Sequence, residues 1–225
     1  MTRLIALPAI RAGREQIGQS AYHPRVVTVS QVEPDGIRSH QAGVQAIVSI
    51  AESMDAADWG RPSGCKGWTG QDLAGHVLTV IRLWDQMLDR ALVGDGSLEF
   101  PWDHFEAWNA RALSELPTDS GLMRVRDFAS RAAVFYERLA AAEPELIYGT
   151  PATTFLGHTV ILAEFAAYAP LEWHLHSHDL AVSAGVEYHP ADMAAMNRAV
   201  HLWITSIPAD YEVPWSMFVS NREPG

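Results

Sequence analysis

Between Ser39 and Ile207 the apolar residues recur at intervals of three and four, and this spacing constrains the fold more than any other feature of the chain. Residues three or four apart share one helix face, so each such run describes a helix with one buried stripe. Val44, Ile47, Val48 and Ala51 describe a first helix, ending before a loop from Asp58 to Gly67 that holds Trp59, Pro62 and Gly64. A second starts after Thr69, a good N-cap, with Asp72 at its third position in a capping-box-like start. Its apolar line is Leu73, Val77, Val80, Leu83, Trp84, Met87, Leu88 and Leu92, and Gly94-Asp95-Gly96 stops it. A shorter helix is expected over Pro101 to Leu116, and another over Ser120 to Ala142. Pro144 to His158 reads as a loop. A long helix follows from Thr159 to Val182, stopped near Gly185, and Pro170 should kink or split it because proline cannot donate to the ladder. A last helix spans Ala191 to Ile207, ended by Pro208. Strand patterns are scarce. The expected class is all-α, an antiparallel helical bundle with long connections.

The 225 residues suit one domain with a small addition. Residues 1–38 read as an irregular N-terminal extension, with RVVTV (Arg25 to Val29) as a short strand; residues 39–207 form the bundle and 208–225 a tail. Lys and Arg number 16 against 27 Asp and Glu, a net charge of -11, which argues against nucleic acid and against an anionic membrane surface. Cys65 is the one cysteine, so no intramolecular disulfide can form. No stretch reaches the length of a membrane span, and the apolar run near the N-terminus is broken by Pro8 and followed by Arg11, Arg14 and Glu15, a poor signal-peptide core. A cytoplasmic protein is expected, and a homodimer is compatible with the sequence.

Three of the ten histidines, His174, His176 and His178, fall within five residues. On a helix Glu172 shares a face with His176, and His174 with His178, and the two pairs point to roughly opposite sides. The Glu172–His176 line continues through Tyr168, Phe165 and Ile161 and forward to Asp179, so it should face the core. The His174–His178 line runs through Leu171, Ala167 and Glu164 and should lie nearer solvent. A carboxylate and an imidazole on a buried line need compensation. A divalent metal would provide it, with His76 on the second helix as third ligand and one coordination position left open. A plain hydrogen-bonded pair of residues four apart is the other reading. Cys65 has no assignable partner and reads as a passive loop thiol. Trp84, Trp102, Trp108 and Tyr168 either pack in the core or line a pocket, and His104 and His158 could reach the mouth of the site.

WTGQDLAGHV (Trp68 to Val77) resembles the Trp–x–x–x–Asp–Leu–x–x–His segment of the DinB/YfiT-like bundle superfamily, with the closer likeness to its actinobacterial branch, the mycothiol-dependent maleylpyruvate isomerase N-terminal domain. LEWHLHSHDLA (Leu171 to Ala181) resembles that family's Glu–Trp–x–x–His–x–Trp–Asp signature, and FEAWNARAL (Phe105 to Leu113) a weaker family feature around an Asn. The resemblance implies a four-helix bundle in which His76, Glu172 and His176 are the metal ligands, Asp179 supports a ligand or the helix end, and Trp68 packs under the second helix. It implies a divalent ion, zinc first, and mycothiol as cosubstrate. His178 departs from the pattern, standing where the family often has Trp. Longer members carry a second, C-terminal domain that completes the isomerase site. Only 18 residues follow Ile207, so maleylpyruvate isomerisation itself is not expected. The expected function is a metal-dependent enzyme activating a low-molecular-weight thiol for S-transfer or isomerisation of a small electrophilic substrate. A hydrolase activating water on the same metal, and a metal-stabilised binding or regulatory module without catalysis, are the alternatives.

Overall fold

The computed structural model describes residues 34–94, 104–142, 151–155, 158–203, 207–208, 210–220 and 222. The RVVTV stretch and Trp102 lie outside them. The described residues form seven helices: α1 (Pro34–Ser53), α2 (Gly70–Leu92), α3 (Phe105–Ser114), α4 (Gly121–Ala141), α5 (Leu162–Ala184), α6 (Met193–Trp203) and α7 (Trp215–Val219). A 3-10 turn at Asp58–Gly60 lies between α1 and α2, and two short strands, β1 (Pro151–Phe155) and β2 (His158–Ile161), lie between α4 and α5.

The all-α bundle reading holds. Helix α1 packs beside α4 and α5, and α2 beside the same two, so the four close into a bundle. Side-chain pairs fix the directions. Arg82 meets Asp127 and Arg138 meets Asp85, so α2 and α4 run parallel. Ser39 meets His174, and the Gly43 carbonyl accepts from Ser177, so α1 and α5 also run parallel. His40 meets Tyr136 and Glu52 meets Arg126, which sets α1 antiparallel to α4. His76 facing Glu172 and Gly70 lying against Ser183 set α2 antiparallel to α5. Two parallel pairs are thus packed antiparallel to each other.

The helix ends follow local chemistry. Thr69 caps α2 with both halves of a capping box, its side chain accepting from the Asp72 amide and the Asp72 carboxylate accepting from the Thr69 amide. Ser120 caps α4. Gly185, at φ 69°, ends α5: its N–H reaches the Val182 carbonyl and that of Val186 the Ala181 carbonyl, the paired bonds of a Schellman stop.

Three expectations need correction. Residues 151–155 and 158–161 carry the antiparallel pairs Thr153 with Val160, Thr154 with Thr159 and Phe155 with His158, where a loop running into the long helix was expected. Thr, Val and Phe suit a pleated surface. Second, α5 continues through Pro170 as one helix, so the proline does not split it. Third, the stretch beyond Asp210, which shows no period, forms α7 and buries Trp215 and Phe218. Helix α1 also begins ahead of Ser39: Pro34, at its first position, has a fixed φ suited to a helix start and lacks only an N–H that would be unpaired there.

Two apolar clusters share α5. The bundle core takes Trp173, Leu180 and Ala181 from it and joins them to Ile47, Leu73, Val77, Trp84, Phe128 and Phe135. On its other side Leu171 and Leu175 pack with Met196, Val200, Val213, Trp215 and Phe218. Helix α5 is therefore covered on two faces from Leu171 onward.

Candidate metal centre

His76 and Glu172 come from antiparallel neighbours, α2 and α5, and His176 stands one turn beyond Glu172. The structure brings all three together, with one ligand-type atom from each within 4.8 Å of the others. His176 Nε2 lies 3.1 Å from Glu172 Oε1, and His76 Nε2 lies 3.8 Å from the same oxygen. The two imidazole rings meet edge to face, 4.8 Å between centroids. Both histidines are buried, and the Glu172 side chain keeps 19% of its surface exposed, making it the solvent-facing member of the trio.

The second ring nitrogens decide what this cluster can hold. His76 Nδ1 lies 2.8 Å from Asn109 Oδ1, and His176 Nδ1 lies 2.9 Å from Asp179 Oδ2. Both partners are acceptors, so each Nδ1 carries the hydrogen, and each neutral ring turns the lone pair of Nε2 toward Glu172. Two lone pairs and a carboxylate then converge with no hydrogen among them, an arrangement that demands a cation. In the protein alone a proton serves. Burial would lower the His176 pKa, but the Glu172 charge and hydrogen bonds with Asp179 and Cys65 hold it well above the usual imidazole range. Burial would raise Glu172, but the His176 charge and the His176 hydrogen bond hold it well below the usual carboxylate range. Burial pushes His76 down, against the pull of Glu172. A divalent ion fits the same place: the donor set is two imidazole nitrogens and a carboxylate, each imidazole oriented by an outer acceptor.

The surroundings sort the other expected residues. Asp179, expected to support a ligand, accepts from His176 and is fully buried. Burial would raise its pKa, but the Arg222 charge and the His176 hydrogen bond keep it far below the ordinary carboxylate value. The Trp68 ring lies over His76 at 4.8 Å, and Phe105 meets the same imidazole edge-on at 6.1 Å. Trp108 stacks on Phe105, whereas Trp84 is core, packed on Trp173 and Phe135. Cys65 donates its thiol to Asp179 Oδ2 at 3.1 Å, and burial, with the Asp179 charge, pushes its pKa up, consistent with an unreactive thiol. Cys65, His176 and Asp179 form a second close group that shares His176 with the first.

His174 corrects the expectation of a solvent-facing side. It is buried, between Tyr188 Oη at 2.5 Å and Ser39 Oγ at 3.4 Å, because α1 and the segment between α5 and α6 cover that face of α5. His178 is half-buried against Trp215. His104 is exposed just before α3, and the side chains of His158 and Tyr168 lie outside the described residues. The FEAWNARAL segment pointed to Asn109, though not to its role. Arg222, whose guanidinium donates to Asp179 Oδ2, had no signal in the sequence, since it lies in an aperiodic tail.

A family model described as the mycothiol maleylpyruvate isomerase N-terminal domain matches residues 40–181. No curated protein and no solved structure matches the chain. The matched span contains His76, Asn109, Glu172, His176 and Asp179, and the match and the cluster together suggest a divalent-metal-binding protein. No described helix is long and apolar enough to cross a membrane.

Proposed function

The chain belongs to the mycothiol maleylpyruvate isomerase N-terminal domain family, within the DinB/YfiT-like superfamily, and from that premise we propose that it is a metal-dependent enzyme of low-molecular-weight thiols. His76, Glu172 and His176 hold a divalent ion, zinc first. Mycothiol is the thiol, and the reaction is S-transfer to, or thiol-assisted isomerisation of, a small electrophilic molecule. One observation carries this reading: Nε2 of two histidines and a Glu172 oxygen face one another while both Nδ1 atoms are tied to outer acceptors.

Bound there, the ion supplies a Lewis acid that lowers the pKa of a coordinated thiol, so that thiolate is present at neutral pH. The protein's own groups do the rest. Asn109 and Asp179 hold both imidazoles in the ligand-competent tautomer. Trp68 and Phe105 keep water from the His76 side. Glu172 marks the side by which a small molecule arrives, since it retains surface where both histidines have almost none.

The test begins with the metal content of the purified protein, followed by thiol-dependent consumption of an electrophile such as a bimane or an epoxide. The expected result is one zinc per chain and consumption that needs both thiol and metal. Well-folded protein that takes up no divalent ion would sink the proposal. Metal without any thiol effect would turn the reading to a water-activating hydrolase, or to a binding module if no substrate is consumed. Full metal occupancy in His76→Ala would remove His76 from the ligand set.

A further inference from the structure

Arg222 lies beyond α7, far in sequence from the bundle, yet its guanidinium reaches the buried Asp179 carboxylate and lies 3.9 Å from Cys65 Sγ. The Asp179 oxygen it meets, Oδ2, also accepts from His176 Nδ1 at 2.9 Å and from the Cys65 thiol at 3.1 Å. One carboxylate oxygen therefore serves a histidine of the centre and a fixed cation together. The loop before α2 packs closely on Asp179: a Cβ at Gly64 would stand 2.5 Å from Asp179 Oδ1, so only glycine fits there, and the Gly64 amide bonds the Asp179 carbonyl at 3.0 Å. The strength with which a carboxylate draws on an imidazole N–H governs the donor strength of the opposite nitrogen. Paired with a guanidinium, the carboxylate is a weaker acceptor, because part of its charge is already engaged in a charge-assisted bond.

We infer that Arg222 is a positioning residue that tunes the metal centre through Asp179: it limits the pull on the His176 Nδ1 proton, keeps that ring an ordinary neutral donor, and so leaves a bound ion electron-poor. An electron-poor ion is the more effective acid toward a thiol or a water. The inference rests on the metal reading proposed above. It gives the C-terminal segment a part in the chemistry that its place outside the bundle does not suggest.

Zinc affinity, measured by chelator competition on the full chain, separates tuning from simple bracing. Arg222→Gln removes the charge and should bind zinc about tenfold more tightly, the scale of one outer contact. Asp179→Asn removes the acceptor and should bind it roughly 10- to 100-fold more weakly. Arg222→Lys keeps the charge and should stay near the wild-type value. If Arg222 only braced the structure, Arg222→Gln would weaken binding along with Asp179→Asn, and that result, or an unchanged affinity, overturns the inference. A measurement without variants stands beside it: in zinc-loaded wild-type protein, nitrogen NMR should show His176 Nδ1 fully protonated, and an imidazolate signal would overturn the inference equally. Zinc affinity unchanged by His76→Ala would sink the proposed ligand set, whereas a normal His76 effect with no tightening in Arg222→Gln would sink the Arg222 role alone.

Discussion

Asn109 and Asp179 give the two histidines a definite direction. Each accepts the Nδ1 hydrogen, and each so leaves Nε2 bare toward Glu172. Asn109→Leu keeps the approximate volume and removes the acceptor; zinc affinity should fall roughly 10- to 100-fold while the circular dichroism spectrum stays unchanged. The proton held between His176 and Glu172 has its own consequence. The folded-state pKa of His176 is raised, so the stability it contributes to metal-free protein is present below the ordinary imidazole pKa and is lost as pH rises through the raised value. Zinc must displace that proton. Titration calorimetry near neutral pH, in buffers of different ionisation enthalpy, should show release of about one proton, and affinity should fall as the pH is lowered. Zinc uptake at neutral pH without proton release would mean that His176 is already deprotonated.

At the scale of elements, the start of α2 matters most, because it places Trp68 just before the cap and His76 two turns into the helix. Thr69→Ala removes the side chain that accepts from the Asp72 amide and one of the donors to the Asp72 carboxylate. It should cost about 1 kcal/mol, read as a lower urea midpoint at an unchanged slope. This cap was legible in the sequence because a capping box is written in adjacent residues. The stop of α5 at Gly185 was legible for the same reason, since a glycine after an apolar run supplies the left-handed residue that ends a helix. The path of α5 through Pro170 was not. A proline weakens a helix locally, and what overrides it here is burial of Leu171, Trp173 and Leu175 against elements on both sides. The strand pair 151–155 and 158–161 was missed because short β-branched runs carry little signal beside strong helical periods.

Over the whole molecule, α5 is the shared wall of two cores, and the centre lies where it meets α2. Because the proposed ligands come from antiparallel helices and close over one point, binding there should stabilise the folded chain. Zinc at about 100 times its dissociation constant should add about 2.7 kcal/mol to the unfolding free energy. This should appear as a higher melting temperature in scanning calorimetry, reversed by a chelator and absent in His76→Ala. A shift that persists in His76→Ala would place the zinc elsewhere on the protein.

What the sequence determined by itself was local or periodic: the helical class, the caps, and the pairing of Glu172 with His176, since helical geometry alone puts residues four apart on one face. With the motif it resembles, it also pointed to His76 across the bundle. Only the tertiary structure decided which atoms face each other. His174 and His176 lie two residues apart on one helix, and both are buried. One turns to Ser39 and Tyr188, and the other to Glu172, Asp179 and the neighbourhood of His76. That difference arises because α1 and the α6–α7 layer cover one side of α5 and α2 the other. It also brings Arg222 to Asp179 across 43 residues of chain. Contacts at such separation depend on how whole helices pack, and no local pattern encodes them.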